Sequence, residues 1–106
     1  MNILFICSRN QWRSPTAEQI YKNKPGIRVK SAGTASSAKI RLTAKAILWA
    51  DLIFVMEKKH KQIIMENFSF EAEEKSIIIL DIPDDYQYMD QELIEEIQTK
   101  VEPYLG

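Results

Sequence analysis

The chain has 106 residues, with 14 Lys and Arg against 15 Asp and Glu, a net charge of −1 and 45% apolar residues. Near-neutrality excludes a global electrostatic pull toward nucleic acid or an anionic membrane, and the length suits one domain, residues 1–106, with a core large enough to fold unaided. The lone cysteine, Cys7, excludes an intrachain disulfide and the common cysteine-rich zinc sites.

In chain order, Ile3-Leu4-Phe5-Ile6 reads as a buried strand. The apolar run Ile3–Cys7 is too short for a signal peptide or a membrane span, and Arg9 ends it, so a cytoplasmic protein is expected. A polar loop follows. Ser14-Pro15 then reads as a helix start, Ser14 as N-cap and Pro15 at the first helical position, running to about Asn23 before Pro25-Gly26. Ile27–Ser31 is a second strand and Ala32-Gly33-Thr34 a turn. After a small, polar loop over 35–39, Thr43 caps a short helix to about Ala50. Leu52–Met56 is a third buried strand and Lys58–Asn67 a helix. Ser69–Lys75 reads as an acidic, mobile connection, and Ile77–Leu80 as a fourth buried strand. Asp81–Asp90 is an acidic loop broken by Pro83, and Asp90 caps a last helix to about Tyr104. Unbroken apolar strands alternating with helices predict an α/β fold: a four-stranded parallel sheet with helices on both faces. Ligands of such sheets bind beyond the carboxyl ends of the strands, where Cys7 lies.

The segment Cys7-Ser8-Arg9-Asn10-Gln11-Trp12-Arg13-Ser14 suits a tetrahedral oxyanion. A loop of this length can turn successive N–H groups inward. The following helix adds its free N–H groups and positive dipole end. Arg13 can place two parallel hydrogen bonds on two phosphate oxygens. The same positive field favours a thiolate at Cys7, and Ser14 can donate a hydrogen bond to the sulfur. A basic first half (residues 1–64) and an acidic second half (66–102) fit either two solvated faces or a basic rim around this site.

At these residues the chain resembles the low-molecular-weight protein tyrosine phosphatases, whose signature is Cys-x5-Arg-Ser-Pro-x-Ala-Glu opening a helix. Cys7, Arg13, Ser14, Pro15, Ala17 and Glu18 stand in that arrangement, and Asn10 also matches. Ser31-Ala32-Gly33-Thr34 is similar to the family's second-strand motif, Ala50–Met56 to its third, and Pro83-Asp84 with Tyr86 to its acid loop. The resemblance implies a cysteine-dependent phosphomonoesterase that needs no metal and no cofactor. Cys7 would attack phosphorus to give a cysteinyl-phosphate. Arg13 would hold the equatorial oxygens with the amides of Ser8, Arg9, Asn10, Gln11 and Trp12. Asp84 would protonate the leaving oxygen and then activate water. Asn10 would keep the loop in shape, Ser14 would assist the sulfur and Tyr86 would flank the mouth. On chemistry alone Asp81, Asp84 and Asp85 are all candidate acids, and the Pro-Asp-x-Tyr match selects Asp84. The expected partners are a phosphorylated protein or a small aryl phosphate, with no nucleic acid and no membrane, met by a monomer.

The chain departs from that pattern in several places. It is shorter, the gap falling between Thr34 and Ala50, where the family carries a helix and a wall of the substrate pocket. Ser8 replaces an apolar residue, Arg9 a small one, and Trp12 the second cysteine of many members. Asp85 stands where the family usually has proline. Trp12 and Trp49 are candidates for a new aromatic wall, with packing the expected role of Trp49. His60, in the basic run Lys58–Lys61, is expected to be solvated. Two other readings use the same fold: a module that binds a phosphorylated partner without turnover, and an arsenate reductase dependent on an external thiol.

Overall fold

Asn2–Cys7 forms strand β1, and five of its six residues are buried. Its side chains alternate, Ile3, Phe5 and Cys7 entering the core on one face and Leu4 and Ile6 on the other. A strand apolar on both faces must be covered on both, so β1 lies inside the sheet. In the computed structural model, which describes residues 1–105, β2 (Arg28–Gly33) pairs with one edge of β1 and β3 (Leu52–Val55) with the other. β4 (Ser76–Ile79) lies beyond β3, and all pairs are parallel, in the order β2-β1-β3-β4.

Helices α1 (Arg13–Tyr21) and α5 (Gln91–Val101) cover the first face with Ala17, Tyr21, Leu93, Ile97 and Val101. Here Phe5 stacks on Phe54 with ring centroids 5.3 Å apart, and Tyr104, from a 3-10 turn over Glu102–Tyr104, meets Phe54 edge-on at 5.7 Å. The second face is covered by α2 (Ala44–Trp49), α3 (Lys58–Asn67) and α4 (Ser69–Ala72), with Ile47, Ile64 and Ala72. The expected four-stranded parallel sheet with helices on both faces is therefore present, and Thr43 and Asp90 cap α2 and α5 as their sequence positions predict.

The structure corrects three expectations. The fourth strand spans Ser76–Ile79 and is an edge, with Ile79 37% exposed, because none of the described residues pairs beyond it. Residues 69–75 are not a loose connection, since Ala72 packs in the core and Ser69–Ala72 forms a helical turn. Ala32 and Gly33 extend β2 rather than turning, held opposite Ile6 and Cys7.

Gly33 is required by a close approach. A Cβ there would lie 2.5 Å from the Ser8 carbonyl oxygen and 2.7 Å from Ala38 Cβ. The end of β2 is thus pressed against the loop after β1, and only a residue without a side chain permits it. Gly33→Ala should cost about 1–3 kcal/mol of overpacking, read by urea denaturation, and should weaken binding of inorganic phosphate by shifting Ser8.

Candidate anion-binding and catalytic site

The loop after β1 leaves the sheet at Cys7 and enters α1 at Arg13. Its carbonyls point away from its hollow. Thr34, Ala35 and Lys39 donate backbone hydrogen bonds to the carbonyls of Cys7, Ser8 and Arg9 at 2.9–3.1 Å. Among the described residues, the backbone N–H groups of Ser8–Trp12 donate to no protein acceptor. Carbonyls bonded on the outside and amides without a protein acceptor are the arrangement that suits an anion.

Asn10 holds that shape. Its backbone is left-handed, φ 57°, which asparagine tolerates better than most residues. Its Nδ2 donates to Ser14 Oγ at 2.9 Å and Ser31 Oγ at 3.0 Å, and its Oδ1 accepts from the Ile40 N–H at 3.2 Å. Ser31 donates onward to Glu18 Oε1. Asn10 and Ser14 are buried, and neither lines the cavity that Cys7 and Arg13 share. Ser14 is not the N-cap: α1 begins at Arg13, two residues before the expected start at Pro15, with Trp12 at the cap position and no side-chain cap, and Ser14 Oγ lies inside the helix, 2.9 Å from Cys7 Sγ.

Arg13 is 1% exposed. Its Nη1 donates to Glu57 Oε2 at 2.5 Å and to the Ile82 carbonyl at 2.8 Å, while its Nε lies 3.7 Å from Asp84 Oδ1. Nη1 is thus fixed by the start of α3 and the loop after β4, Nε faces the Asp84 carboxylate, and Nη2 donates to no protein acceptor among the described residues. Burial pushes the Glu57 carboxyl up, but the hydrogen bond and charge of Arg13 outweigh it, helped by Lys59, and hold it below its ordinary value.

Cys7, Arg9, Gln11, Trp12, Arg13 and Asp84 line one cavity of about 120 Å³. Six residues expected at the site thus share one space. Asp84 is placed by its neighbours. Ile82 is fully buried, donates its N–H to Met56, and receives Arg13 on its carbonyl. Farther on, the Met89 N–H is held by Thr16 Oγ1 of α1. Asp81 and Asp85 are exposed and do not line the cavity.

Tyr86 departs from expectation. It packs toward the core over α5, in a groove with Glu92, Glu95, Glu96, Thr99 and Lys100, and does not reach the cavity. Its aromatic ring finds apolar cover there, which the open mouth does not offer. Tyr88 lines a separate groove of about 490 Å³ with Gln11, Trp12 and Ile40, on the far side of Trp12. Trp12 alone is the aromatic wall shared by cavity and groove. Trp49 packs against the second core, with Lys30 Nζ 4.4 Å from its ring centroid.

The largest correction is His60, expected in solvent and found 0% exposed. Its Nδ1 accepts the Glu57 N–H at 3.0 Å and its Nε2 lies 2.8 Å from Ser8 Oγ. Composition concealed it, since its neighbours in the run are lysines. The readable signal was place: the third residue of a helix starting beyond the carboxyl end of β3 lies at the same sheet edge as Cys7.

A cysteine–arginine anion loop between the central parallel strand and a helix defines the class of cysteine-dependent phosphatases, and the comparisons with known proteins agree. A family model described as low molecular weight phosphotyrosine protein phosphatase matches residues 2–50. A protein-arginine-phosphatase of Geobacillus stearothermophilus is 33% identical over 101 residues, covering 73% of this chain and 68% of that protein. One of Bacillus subtilis is 32% identical over 95 residues, covering 64% and 63%. The chain thus spans about two thirds of the length of these curated relatives. Among solved structures, the YwlE arginine phosphatase from Geobacillus stearothermophilus superposes with a TM-score of 0.73 at 26% identity, covering 98% of this chain and 92% of that one. The tyrosine phosphatase Wzb from Escherichia coli K30 with sulphate shares the fold, at a TM-score of 0.79 and 21% identity, covering 99% and 98%. The chain belongs to the low-molecular-weight phosphotyrosine protein phosphatase family.

Burial, and then the charge of Arg13, lower the His60 imidazole from 6.5 to about 4. Below pH 6.5 the unfolded chain takes up this proton and the folded chain does not. Stability therefore falls as the pH drops from 6.5 toward 4, by up to about 3 kcal/mol. Glu57, held low, adds its own loss only below 4.5, its unfolded value. Urea titrations at pH 7 and pH 4.5 measure the slope, and His60→Asn should lose less stability over that interval than wild type.

Proposed function

We propose that the chain hydrolyses phosphorylated side chains of proteins through a cysteinyl-phosphate at Cys7, with Arg13 and Asp84 as the other catalytic residues. The observation that carries this reading is that these three side chains line one small cavity, with Ser14 Oγ on the sulfur and Asp84 the one carboxylate among the lining residues. Cys7 Sγ attacks phosphorus as the thiolate. The S–P bond forms while the bond to the leaving oxygen breaks, and Asp84 gives that oxygen its proton. Asp84, now a carboxylate, takes a proton from water. The hydroxide breaks the S–P bond, releasing inorganic phosphate and the thiolate. The amides of Ser8–Trp12 and the free edge of Arg13 hold the equatorial oxygens as negative charge spreads over them.

The cavity's size supports an open site. About 120 Å³ accepts a phosphoryl group and little of the ester behind it. Trp12 is the one aromatic at its rim, and Tyr86 is turned away. The substrate class that fits is an aryl phosphate held weakly, with modest discrimination against alkyl phosphates and a preference set by the leaving group.

A second reading, phosphoarginine, is favoured by the two relatives named as protein-arginine-phosphatases. The bond broken there is P–N, and the leaving guanidine nitrogen needs a proton still more than an alkoxide does. Asp84, half exposed at the cavity, is the group able to supply it. Hydrolysis rates on matched peptides carrying phosphotyrosine, phosphoserine or phosphoarginine decide between the classes. Preference for phosphoarginine by tenfold or more would replace the aryl reading.

Three substitutions test the roles. Cys7→Ser should abolish turnover of p-nitrophenyl phosphate and retain phosphate binding, and a tenth of wild-type activity in this variant would refute covalent catalysis. Arg13→Lys should lower kcat by about 10²-fold or more, since charge stays but the fork is lost. Asp84→Asn should slow esters of poor leaving groups by about 10²–10⁴-fold and activated aryl esters less. The same dependence in Asp85→Asn would move the acid to Asp85. Binding of inorganic phosphate by wild type without turnover of any of these substrates would instead support a phosphate-binding module.

A further inference from the structure

The chain's one histidine has no part in the chemistry above, yet it is wholly buried at the edge of the site. Capping α3 explains only half of its contacts. A cap requires one acceptor, and Nδ1 provides it to the Glu57 N–H at 3.0 Å. The other nitrogen reaches Ser8 Oγ at 2.8 Å, 52 residues away in sequence.

The first hydrogen bond fixes the tautomer. With Nδ1 accepting, a neutral imidazole carries its proton on Nε2, so Nε2–H donates and Ser8 Oγ accepts. A second proton would point at the Glu57 N–H, donor against donor. It would also put positive charge near Arg13 and Lys59, which the carboxylates of Glu57 and Asp84 oppose only in part.

The two residues it holds are not arbitrary. Ser8 directly follows Cys7 and begins the anion loop. Glu57 is the carboxylate on Arg13 Nη1, and Arg13 ends that loop. One ring therefore links the beginning of the loop, through Ser8, to its end, through Glu57 and Arg13.

We infer that His60 is a positioning residue for the anion loop: as the neutral Nε2–H imidazole it locks Ser8 to the start of α3 and so fixes the loop amides relative to the Arg13 fork. The inference rests on the phosphatase reading of this loop. It extends that reading to a residue that touches neither substrate nor sulfur. Ser8 thereby has a defined task as the hydroxyl that anchors the loop.

Four variants and one spectrum test it. His60→Asn keeps an acceptor where Nδ1 stood and loses the reach to Ser8. Ser8→Ala removes the other partner, Ser8→Thr restores a hydroxyl, and the fourth variant combines Ser8→Ala with His60→Asn. Binding of inorganic phosphate is measured by calorimetry in a Cys7→Ser background, and kcat/KM for p-nitrophenyl phosphate in the native background, at temperatures where thermal melts show each variant folded. His60→Asn and Ser8→Ala should each weaken phosphate binding and kcat/KM by about tenfold, the worth of one well-made hydrogen bond. The double variant should be no worse than the poorer single one, and Ser8→Thr should recover most of the loss. Because there is one histidine, the imidazole 15N signals are unambiguous. They should report the Nε2–H tautomer from pH 8 to pH 5 and shift when phosphate is added. Additive effects in the double variant, unchanged phosphate binding in Ser8→Ala, or an imidazole that titrates near pH 6.5 would each overturn the inference. Failure of the wild type to hydrolyse any ester strikes the catalytic reading instead, and the phosphate affinities and the imidazole spectrum still decide the role of His60.

Discussion

A guanidinium removed from water governs this end of the molecule. Arg13 is 1% exposed, and a buried charge without compensation is among the most costly things a fold can contain. Its partners come from separate stretches of chain: Glu57 at the start of α3, the Ile82 carbonyl after β4, and Asp84 two residues on. Satisfying one cation thus brings the ends of β1, β3 and β4 to one point. The parallel sheet supplies the geometry, since all these strands end at the same edge. The arrangement also leaves the guanidinium held on Nη1 by protein, with Nε toward Asp84, at the wall of the cavity.

The anion loop is braced from outside as firmly as it is open inside. Residues 34–40 fold along it and take its carbonyls, Asn10 ties it to Ser14, Ser31 and Ile40, and Gly33 lets β2 approach it without a side chain between them. The rest of the segment to Ala50 serves the second face of the sheet, where Ile47 and Ala50 of the α2 region enter the core. Trp12 is the single aromatic residue lining the cavity.

The polar groups around the cysteine form two branches. One runs from Cys7 through Ser14, Asn10 and Ser31 to Glu18, along α1 and β2. The other runs from Ser8 through His60 and the Glu57 backbone to the carboxylate on Arg13, along α3. Every member of such a buried network must be satisfied for the network to stiffen rather than weaken the fold. Between its ends the first branch uses neutral groups, Ser14, Asn10 and Ser31. The second contains an imidazole whose neutrality depends on burial and on Arg13.

The sequence by itself determined the parallel sheet with its helices and the strand–loop–helix segment from Cys7 to Arg13. Unbroken apolar runs must be buried on both faces, and a Cys-x5-Arg-Ser-Pro segment between strand and helix has few other physical uses. It determined Asp84 less firmly, because three aspartates share one loop and only tertiary anchoring of Ile82 and Met89 separates the one in the cavity from the others. The tertiary structure alone decided the rest. Ser14 reads locally as a cap and is taken by the sulfur of Cys7, a contact that local preference does not encode. Ile77–Leu80 reads as a buried strand, but burial of a last strand depends on whether anything pairs beyond it. Tyr86 stands beside the acid in sequence, and the turn between them sends its ring to α5. His60 sits among lysines, and only the meeting of α3 with the loop after β1 reveals that it is enclosed. Periodicity and spacing report what a segment must do with its own backbone and apolar surface. Which buried donor meets which acceptor across 52 residues is settled by packing, where each polar group takes the partner that the assembled core leaves within reach.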